Sequence, residues 1–157
     1  MAKREQGIKI VATNRKARFR FHVEDAVEAG LELVGAEVKS LRAGGGCSLD
    51  ESYARPAGRE IFVYDMHIPP YAQATVDRPD PVRRRKVLLH RSEIDRIIAR
   101  CTQRGYTLVP LKVYFREGWA KVELALCRGK TGEDKRARER QKEKRQEIQS
   151  AMDRRGR

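Results

Sequence analysis

Several features that define whole classes of protein are scarce in this sequence. Of its 157 residues, three are cysteines, three are histidines and 6% are aromatic. Cys47, Cys101 and Cys127 are odd in number, lie far apart and form no Cys-x-x-Cys pair, which disfavours a disulfide framework. A reduced, cytoplasmic setting is expected, with Cys101 and Cys127 as small buried apolar side chains.

Long apolar runs are also missing. Residues 1–6 lack the apolar core of a secretory signal, and no stretch approaches the run of about 20 apolar residues that spans a bilayer. An apolar anchor and a lipidation motif are missing too, so an anionic membrane surface is a weaker partner class than nucleic acid. We expect no membrane association.

Motifs for catalysis and cofactor binding are not found either. His22, His67 and His90 are dispersed, with no metal-ligand spacing to a cysteine or a carboxylate. Gly44-Gly45-Gly46 lacks the lysine of a P-loop and the pattern of a dinucleotide loop, and no serine lies in a nucleophile elbow. The sequence therefore predicts a protein that is not an enzyme, with no metal and no cofactor.

What the chain does have is positive charge. Its 35 Lys and Arg against 22 Asp and Glu give a net charge of +13. Residues 129–157 carry +5 of this charge and have only four apolar side chains, too few to form a core, and residues 1–128 carry the remaining +8. The sequence predicts a compact nucleic-acid-binding domain over residues 1–128. It predicts a basic tail over 129–157 that is disordered when free and orders on a nucleic acid.

Two segments of the folded part are predicted to be helical. Residues 24–30 have acids in the first turn and Gly30 as a stop. Residues 92–104 begin with a Ser92–Asp95 capping box, line one face with isoleucines and end at Gly105.

About six strands follow from alternating apolar and polar residues, and Pro110 is expected at an edge or a bulge. Residues 68–82, with four prolines, are predicted to be a long irregular connection. Because most strands are joined by turns, the fold class is mainly β, an OB-like closed six-stranded antiparallel barrel with short flanking helices. The predicted strands are residues 18–23, 31–42 with a bend at Gly35, a hairpin within 49–64 that turns at Ala57-Gly58, 111–116 and 120–126.

Two basic clusters stand out, one before the strand predicted at residues 18–23 and one before Val87-Leu88-Leu89. Asn14-Arg15-Lys16-Ala17 is either a phosphate-binding loop, in which Asn14 contributes a neutral hydrogen bond, or a solvated loop. Arg83-Arg84-Arg85-Lys86 is a run of four cations that repel one another without a polyanion. In an extended chain their side chains point to both sides, so some are expected to contact RNA and others to be structural.

A third cluster combines cations with aromatic rings. Lys121, with Lys112 and Arg116 on the neighbouring strand, is expected to form a basic stripe beside Tyr114 and Trp119. Such a surface suits RNA, because bases stack on rings and phosphates pair with cations. The alternative is that Trp119 caps one end of the core.

Several of these segments together resemble the SsrA-binding protein family (small protein B) of bacterial trans-translation. The resemblance covers nearly all of the folded part, and several specific blocks stand in the family's order. These blocks are Asn14 to Ala17, Gly35 to Arg42, Arg83 to Leu89, Leu108 to Tyr114, and Gly129-Lys130 with Asp134-Lys135-Arg136.

The resemblance implies an OB-like barrel that binds the tRNA-like domain of transfer-messenger RNA and delivers this RNA to stalled ribosomes for peptide tagging. It implies that the tail enters the empty messenger channel at the decoding centre and is helical only there. A monomer is expected. The alternative is a ribosome-associated OB-fold protein that binds structured RNA without selectivity for transfer-messenger RNA.

The resemblance also implies roles for individual residues. Glu37 is expected either to accept from a guanine edge or an amino group, or to position Lys39 or an arginine. Phe21 is expected either to stack on a base or to pack in the core. With the basic clusters included, the expected RNA-binding residues are Asn14, Arg15, Lys16, Phe21, Glu37, Lys39, Arg83, Arg85, Leu88, Lys121, Arg128 and Lys130, and the ribosome-facing tail residues are Asp134, Lys135, Arg136 and Arg140.

The tail departs from the family's usual pattern at several places, and the family's Ile-Lys-Glu-Arg-like stretch reads Glu139-Arg140-Gln141-Lys142 here. Where the family has a second lysine this chain has Thr131, and where it has a ring that stacks in the decoding centre this chain has Glu133.

Overall fold

Seven strands and four helices make up the part of the chain that the computed structural model describes, residues 7–44, 46–73, 78–103, 105–129 and 132–155. In chain order they are β1 (Ile8–Thr13), α1 (Ala17–Arg20), β2 (Phe21–Leu31), α2 (Gly35–Arg42), β3 (Tyr53–Ala57), β4 (Glu60–Tyr64), β5 (Arg85–Leu88), α3 (Arg91–Cys101), β6 (Tyr106–Arg116), β7 (Trp119–Gly129) and α4 (Gly132–Arg155).

Six of these strands close into a ring. The antiparallel pairs run from β6 to β7, then to β2, β5, β4 and β3, and β3 returns to β6 where Ala54 pairs with Leu108. Closure removes the sheet edges that invite unwanted pairing. The structure confirms a mainly β closed antiparallel barrel of six strands with short helices, and β1 is a further strand that pairs with β6.

The first third of the barrel differs most from the sequence prediction. Residues 24–30 are not helical but belong to the long strand β2, and residues 35–42 form helix α2 rather than a bent strand. The strand expected at 18–23 begins only at Phe21, because residues 17–20 form α1. Local preference for helix in Glu24–Gly30 is overridden by ladder pairing with β7 along most of β2.

The remaining predictions agree better with the structure. The hairpin of β3 and β4 turns at Gly58, and the described parts of 68–82 contain no helix or strand. Helix α3 lies where it was expected, although its N-cap is His90, so the Ser92–Asp95 capping box is wrong. Pro110 lies at a bulge in the pairing of β6 with β7, as predicted.

The barrel interior is filled by inward-facing aliphatic side chains. Ile61, Val63, Val87, Val122 and Leu124 are fully buried there, and the core cluster also includes Leu41 from α2 and Ile94 from α3. A second, smaller cluster on β6 and β7 packs against α1 and is formed by Ala17, Val109, Leu111, Ala125 and Cys127, with Phe21 and Val23 half-buried beside it. Cys127 is buried as predicted, whereas Cys101 is only half-buried.

Helix α4 continues from the barrel as a highly charged segment. All its side chains whose burial is described, from Arg140 onward, are exposed, including Ile148 and Met152. Without a covered apolar face, a helix gains little from packing, and isolated helices are marginal in water. That this segment orders only on a partner therefore stays a prediction.

Candidate RNA-binding surface

A single row of cross-strand partners crosses five strands on the outside of the barrel. Ile10 on β1 pairs with Tyr114 on β6, Tyr114 with Lys121 on β7, Lys121 with Gly30 on β2, and Gly30 with Leu88 on β5. Direct cross-strand partners project from the same face of a sheet. We call these five residues the central row. It brings together Leu88 and Lys121, two of the predicted RNA-binding residues.

The central row and its neighbours expose apolar side chains beside cations. Leu88 is 47% exposed and Ile10 is 58% exposed. Trp119, which pairs with Arg116 two pairs further along the hairpin, is 73% exposed. Large apolar side chains this exposed mark a contact surface when they cluster. Trp119 therefore lies on the surface, and the alternative that it caps the core is wrong.

Gly30 lets β5 approach β2 closely in the middle of this surface. A Cβ at Gly30 would lie 3.1 Å from the Cβ of Leu88, closer than side-chain carbons normally come. Lys121, half-buried, flanks the same glycine from β7. The result is a shallow floor of backbone between an exposed leucine and a lysine, where a ligand can come near the main chain.

The predicted basic stripe is interrupted by two glutamates. Lys112 lies 3.5 Å from Glu123, and Arg116 lies 3.1 Å from Glu28. Tyr114 is 3% exposed and donates its hydroxyl hydrogen bond to Glu28, so its ring cannot serve as a stacking platform. Burial, together with that carboxylate, raises the pKa of Tyr114.

Glu28 is a residue of this surface that the sequence did not single out. Its carboxylate bridges the Tyr114 hydroxyl and the Arg116 guanidinium. It lies two residues before Gly30 on β2 and therefore on the same face of the sheet. The sequence pattern assigned it to a helix, which placed its carboxylate in a terminal turn rather than on a sheet face. Only the period of two in Val27, Ala29 and Leu31, which point inward, signals its outward position.

Glu37 lies inside the protein, as the centre of a buried ion-pair cluster. Its side chain is 2% exposed, and that of Arg85 is fully buried. One carboxylate oxygen accepts from Arg85 Nε at 2.6 Å, while the other accepts from Arg83 and, at 3.0 Å, from the Val34 N–H. Arg85 also donates to the carbonyls of Met66 and Pro81 at 2.5 and 3.0 Å. We call Glu37, Arg83 and Arg85 the Glu37 brace.

The geometry of the Glu37 brace favours one of the two expected roles for Glu37. Burial by itself raises the pKa of Glu37, but hydrogen bonds from Arg83, the Val34 N–H and Arg85 outweigh it and hold the pKa below its ordinary value. Lys39 is exposed on α2, and the carboxylate engages the two arginines instead. The brace ties α2 to the strand that carries Leu88, so Glu37 positions β5 and has no free oxygen to offer a guanine edge.

Asn14 is also structural rather than open to phosphate. Its side-chain N–H group donates to the carbonyls of Leu49 and Pro110 at 3.3 and 3.1 Å, and only 7% of the residue is exposed. Arg15 and Lys16, which follow it, are exposed. A phosphate-binding role for this loop therefore rests on these two cations, and Asn14 anchors the loop against β6.

The other predicted residues are spread around the barrel. Phe21 is half-buried against the smaller apolar cluster that includes Ala17 of α1, which favours the packing role over the stacking role. It also lines a cavity of about 150 Å³ with Arg20 and Tyr53. The Arg128 side chain is 58% exposed and, like Arg100, lies over the ring of Tyr106.

Part of the predicted tail site falls beyond what the structure describes. Lys130 lies outside the described residues, and the same holds for the side chains of Asp134, Lys135 and Arg136 on α4. Arg140 is exposed. Across the described ranges, no three His, Cys, Asp or Glu residues come together as a metal site. None of the helices described is long and apolar enough to cross a membrane.

The sequence is similar to one known protein family over nearly its whole length. The family model "SmpB protein" matches residues 11–154. An SsrA-binding protein of Anaeromyxobacter sp. (strain Fw109-5) is 49% identical over 97% of this chain and 92% of its own, and that of Myxococcus xanthus (strain DK1622) is 49% identical over 96% and 93%. The SsrA-binding protein of Salinispora tropica is 48% identical over 98% of this chain and 96% of its own.

A solved structure gives the same result at the level of the fold. One chain of the structure described as "tmRNA-SmpB: a journey to the center of the bacterial ribosome" superposes with a TM-score of 0.64 at 44% identity, covering 79% of this chain and 87% of that chain. With a family model that spans nearly the whole sequence and relatives of near-equal length, this chain belongs to the SmpB protein family.

Proposed function

We propose that this chain is an RNA-binding adaptor that binds the tRNA-like domain of transfer-messenger RNA and delivers it to stalled ribosomes for trans-translation. The observation that carries the proposal is the central row, where exposed Leu88 and Ile10 flank Lys121 on one continuous face. The similar proteins are named for binding SsrA, and the matching solved structure is described as tmRNA-SmpB on the bacterial ribosome.

The chemistry of the central row suits a folded RNA with unstacked bases. Trp119 and Leu88 offer apolar surface to bases and sugars, while Lys121 and Arg116 offer charge to phosphates. The floor at Gly30 admits the RNA close to the main chain, and Glu28 holds Arg116 in place. Arg15, Lys16 and Arg128 add exposed positive charge elsewhere on the barrel, and Lys130 lies outside the described residues.

The tail has a separate role in this proposal. Its charged residues, Arg140 among them, run along an exposed helix that the barrel does not bury in the part whose side chains are described. We assign α4 to the empty messenger channel of the ribosome, where ribosomal phosphates neutralise its basic excess and favour the helix. The adaptor acts as a monomer in the cytoplasm and catalyses no reaction.

The test is a competition experiment at several salt concentrations. Affinity for the tRNA-like domain is measured with an excess of ordinary tRNA as competitor. Binding that survives both the competitor and moderate salt supports the adaptor. Binding that ordinary tRNA removes equally, with a steep salt dependence, favours the ribosome-associated alternative, because phosphate contacts alone carry no selectivity.

A further inference from the structure

A second outward face, on β3, β4 and β5, carries rings and cations that the central row does not use. Cross-strand partners place Tyr53 beside Tyr64, Arg55 beside Phe62, and Phe62 beside Lys86. Their neighbours along the strands point into the core, where Ala54, Ile61 and Val63 are buried. We call Tyr53, Arg55, Phe62, Tyr64, Arg84 and Lys86 the Tyr64 platform.

The rings and guanidinium groups of the Tyr64 platform are layered on one another. The rings of Tyr53 and Tyr64 stack with centroids 5.3 Å apart and planes 12° apart. The Arg55 guanidinium lies 4.9 Å from the centroid of Tyr64, and that of Arg84 lies 4.2 Å from the centroid of Phe62. The rings are half-buried and both arginines are exposed, so flat π surfaces and guanidinium groups already lie together at the protein surface.

The charge of this face is strongly one-sided. Among the outward-facing residues of the three strands, Glu60 is the one carboxylate, and it lies 3.9 Å from both Lys86 and Arg91. Ion pairs this long and this exposed contribute little energy, so Lys86 and Arg91 can exchange Glu60 for another anion such as a phosphate. Slight desolvation raises the pKa of Tyr64, but hydrogen bonds from Arg55 and Arg84 outweigh it and lower that pKa.

A groove connects this face with the central row. It has a volume of about 280 Å³ and is lined by Glu60, Lys86, Leu88, Arg91 and Ile94, among others. Leu88 and Lys86 are two residues apart on β5 and face outward together. A chain that lies on the platform can therefore continue toward Leu88 along a basic path.

We propose that the Tyr64 platform binds unpaired RNA nucleotides, with bases stacked on its rings and arginine side chains and phosphates held by Arg55, Arg84 and Lys86. Aromatic side chains interleaved with cations on a sheet surface are the usual arrangement for single-stranded RNA, because every base has a π face. The platform lies on a different arc of the ring from Lys121 and Gly30. It therefore holds nucleotides other than those on the central row. Only the partner class, RNA, rests on the proposed function.

The experiment measures binding of an unstructured oligouridylate of about 12 nucleotides, within the range that single-stranded sites cover. In full-length protein, replacing both Phe62→Leu and Tyr64→Leu should weaken binding about tenfold with an unchanged salt slope, since stacking is lost and charge is kept. Arg55→Gln with Arg84→Gln should flatten the salt slope by roughly 1.4 log units per log unit of salt. The matched control, Lys9→Gln with Arg96→Gln, removes two exposed cations away from the platform and should leave affinity within about twofold.

Equal losses in the arginine pair and in the control overturn the proposal, because they show a nonspecific basic surface. So does unchanged affinity in a leucine pair that melts like the parent protein. If the leucine pair does not fold, the arginine pair decides, with Tyr64→Phe as the variant that keeps the ring and should retain binding. Selectivity for the tRNA-like domain over ordinary tRNA is measured in parallel, in the parent protein and in Lys121→Gln. A parent protein that shows no such selectivity contradicts the proposed function alone.

Discussion

Gly30 and Leu88 lie directly opposite each other on β2 and β5, where a Cβ on the glycine would stand 3.1 Å from the Cβ of the leucine. This contact sets the separation of the two strands at the centre of the proposed RNA surface. It also makes the surface sensitive to a single methyl group.

Gly30→Ala should therefore weaken binding of the tRNA-like domain by about tenfold, because displacing Leu88 changes the shape of the RNA contact. The melting temperature should fall only modestly, since a shift of a partly exposed leucine can relieve the clash. Gly35→Ala is the control, because open space surrounds its Cβ position. Equal affinities of the two variants, measured by filter binding, contradict the assigned surface.

Leu88→Ala should reduce affinity for the tRNA-like domain without loss of stability. Its matched control is Val82→Ala, because Val82 and Leu88 are similarly exposed, at 44% and 47%, but only Leu88 lies in the central row. The sole tryptophan, Trp119, provides the measurement, since RNA that covers the central row should quench its fluorescence. If both variants titrate like the parent protein, Leu88 is not a contact residue.

Glu37→Gln should destabilise the barrel by about 3–5 kcal/mol, because it leaves buried Arg85 without a charged partner. The folded pKa of Glu37 is lowered from 4.5. Its ionisation therefore contributes stability that is fully present above pH 4.5 and is lost as the pH falls through the lower folded value. Urea unfolding at neutral and acidic pH checks this.

The loss of stability on acidification should be smaller in Glu37→Gln than in the parent protein. Glu51→Gln, at an exposed position, serves as the control and should keep the parent's pH dependence. An unchanged acid response in Glu37→Gln shows that other carboxylates govern it.

Removal of the tail should separate RNA binding from ribosome function. A chain that ends at Thr131 keeps β7 whole, because Gly129 pairs with Phe21. It should bind the tRNA-like domain within about twofold of the full protein, since few RNA phosphate contacts are removed, and it should not support peptide tagging on stalled ribosomes. Tagging at the normal rate by this shortened chain contradicts the role assigned to α4.

Circular dichroism of the free protein tests the expectation for the tail more directly. If residues 132–155 order only on the ribosome, the full chain and the shortened chain should show nearly the same helical signal. A difference equal to a 24-residue helix would show that α4 is stable on its own.

Part of this protein is specified by local pattern. The alternation in residues 111–116 and 120–126 produced the central parts of β6 and β7 as predicted, although β6 begins earlier, at Tyr106, and β7 continues to Gly129. The isoleucines of α3 produced its buried face, because a helix that covers a core has the same period wherever it occurs. The charge of the chain likewise indicated a nucleic-acid partner from the sequence alone.

The tertiary structure alone decided how distant segments meet. Residues 24–30 are a strand because β7 supplies a ladder for them, and a ladder partner about a hundred residues away leaves no local signal. Glu37 is buried because Arg85, 48 residues later, lies beside it. The central row likewise depends on the register of five strands, which no window of sequence contains.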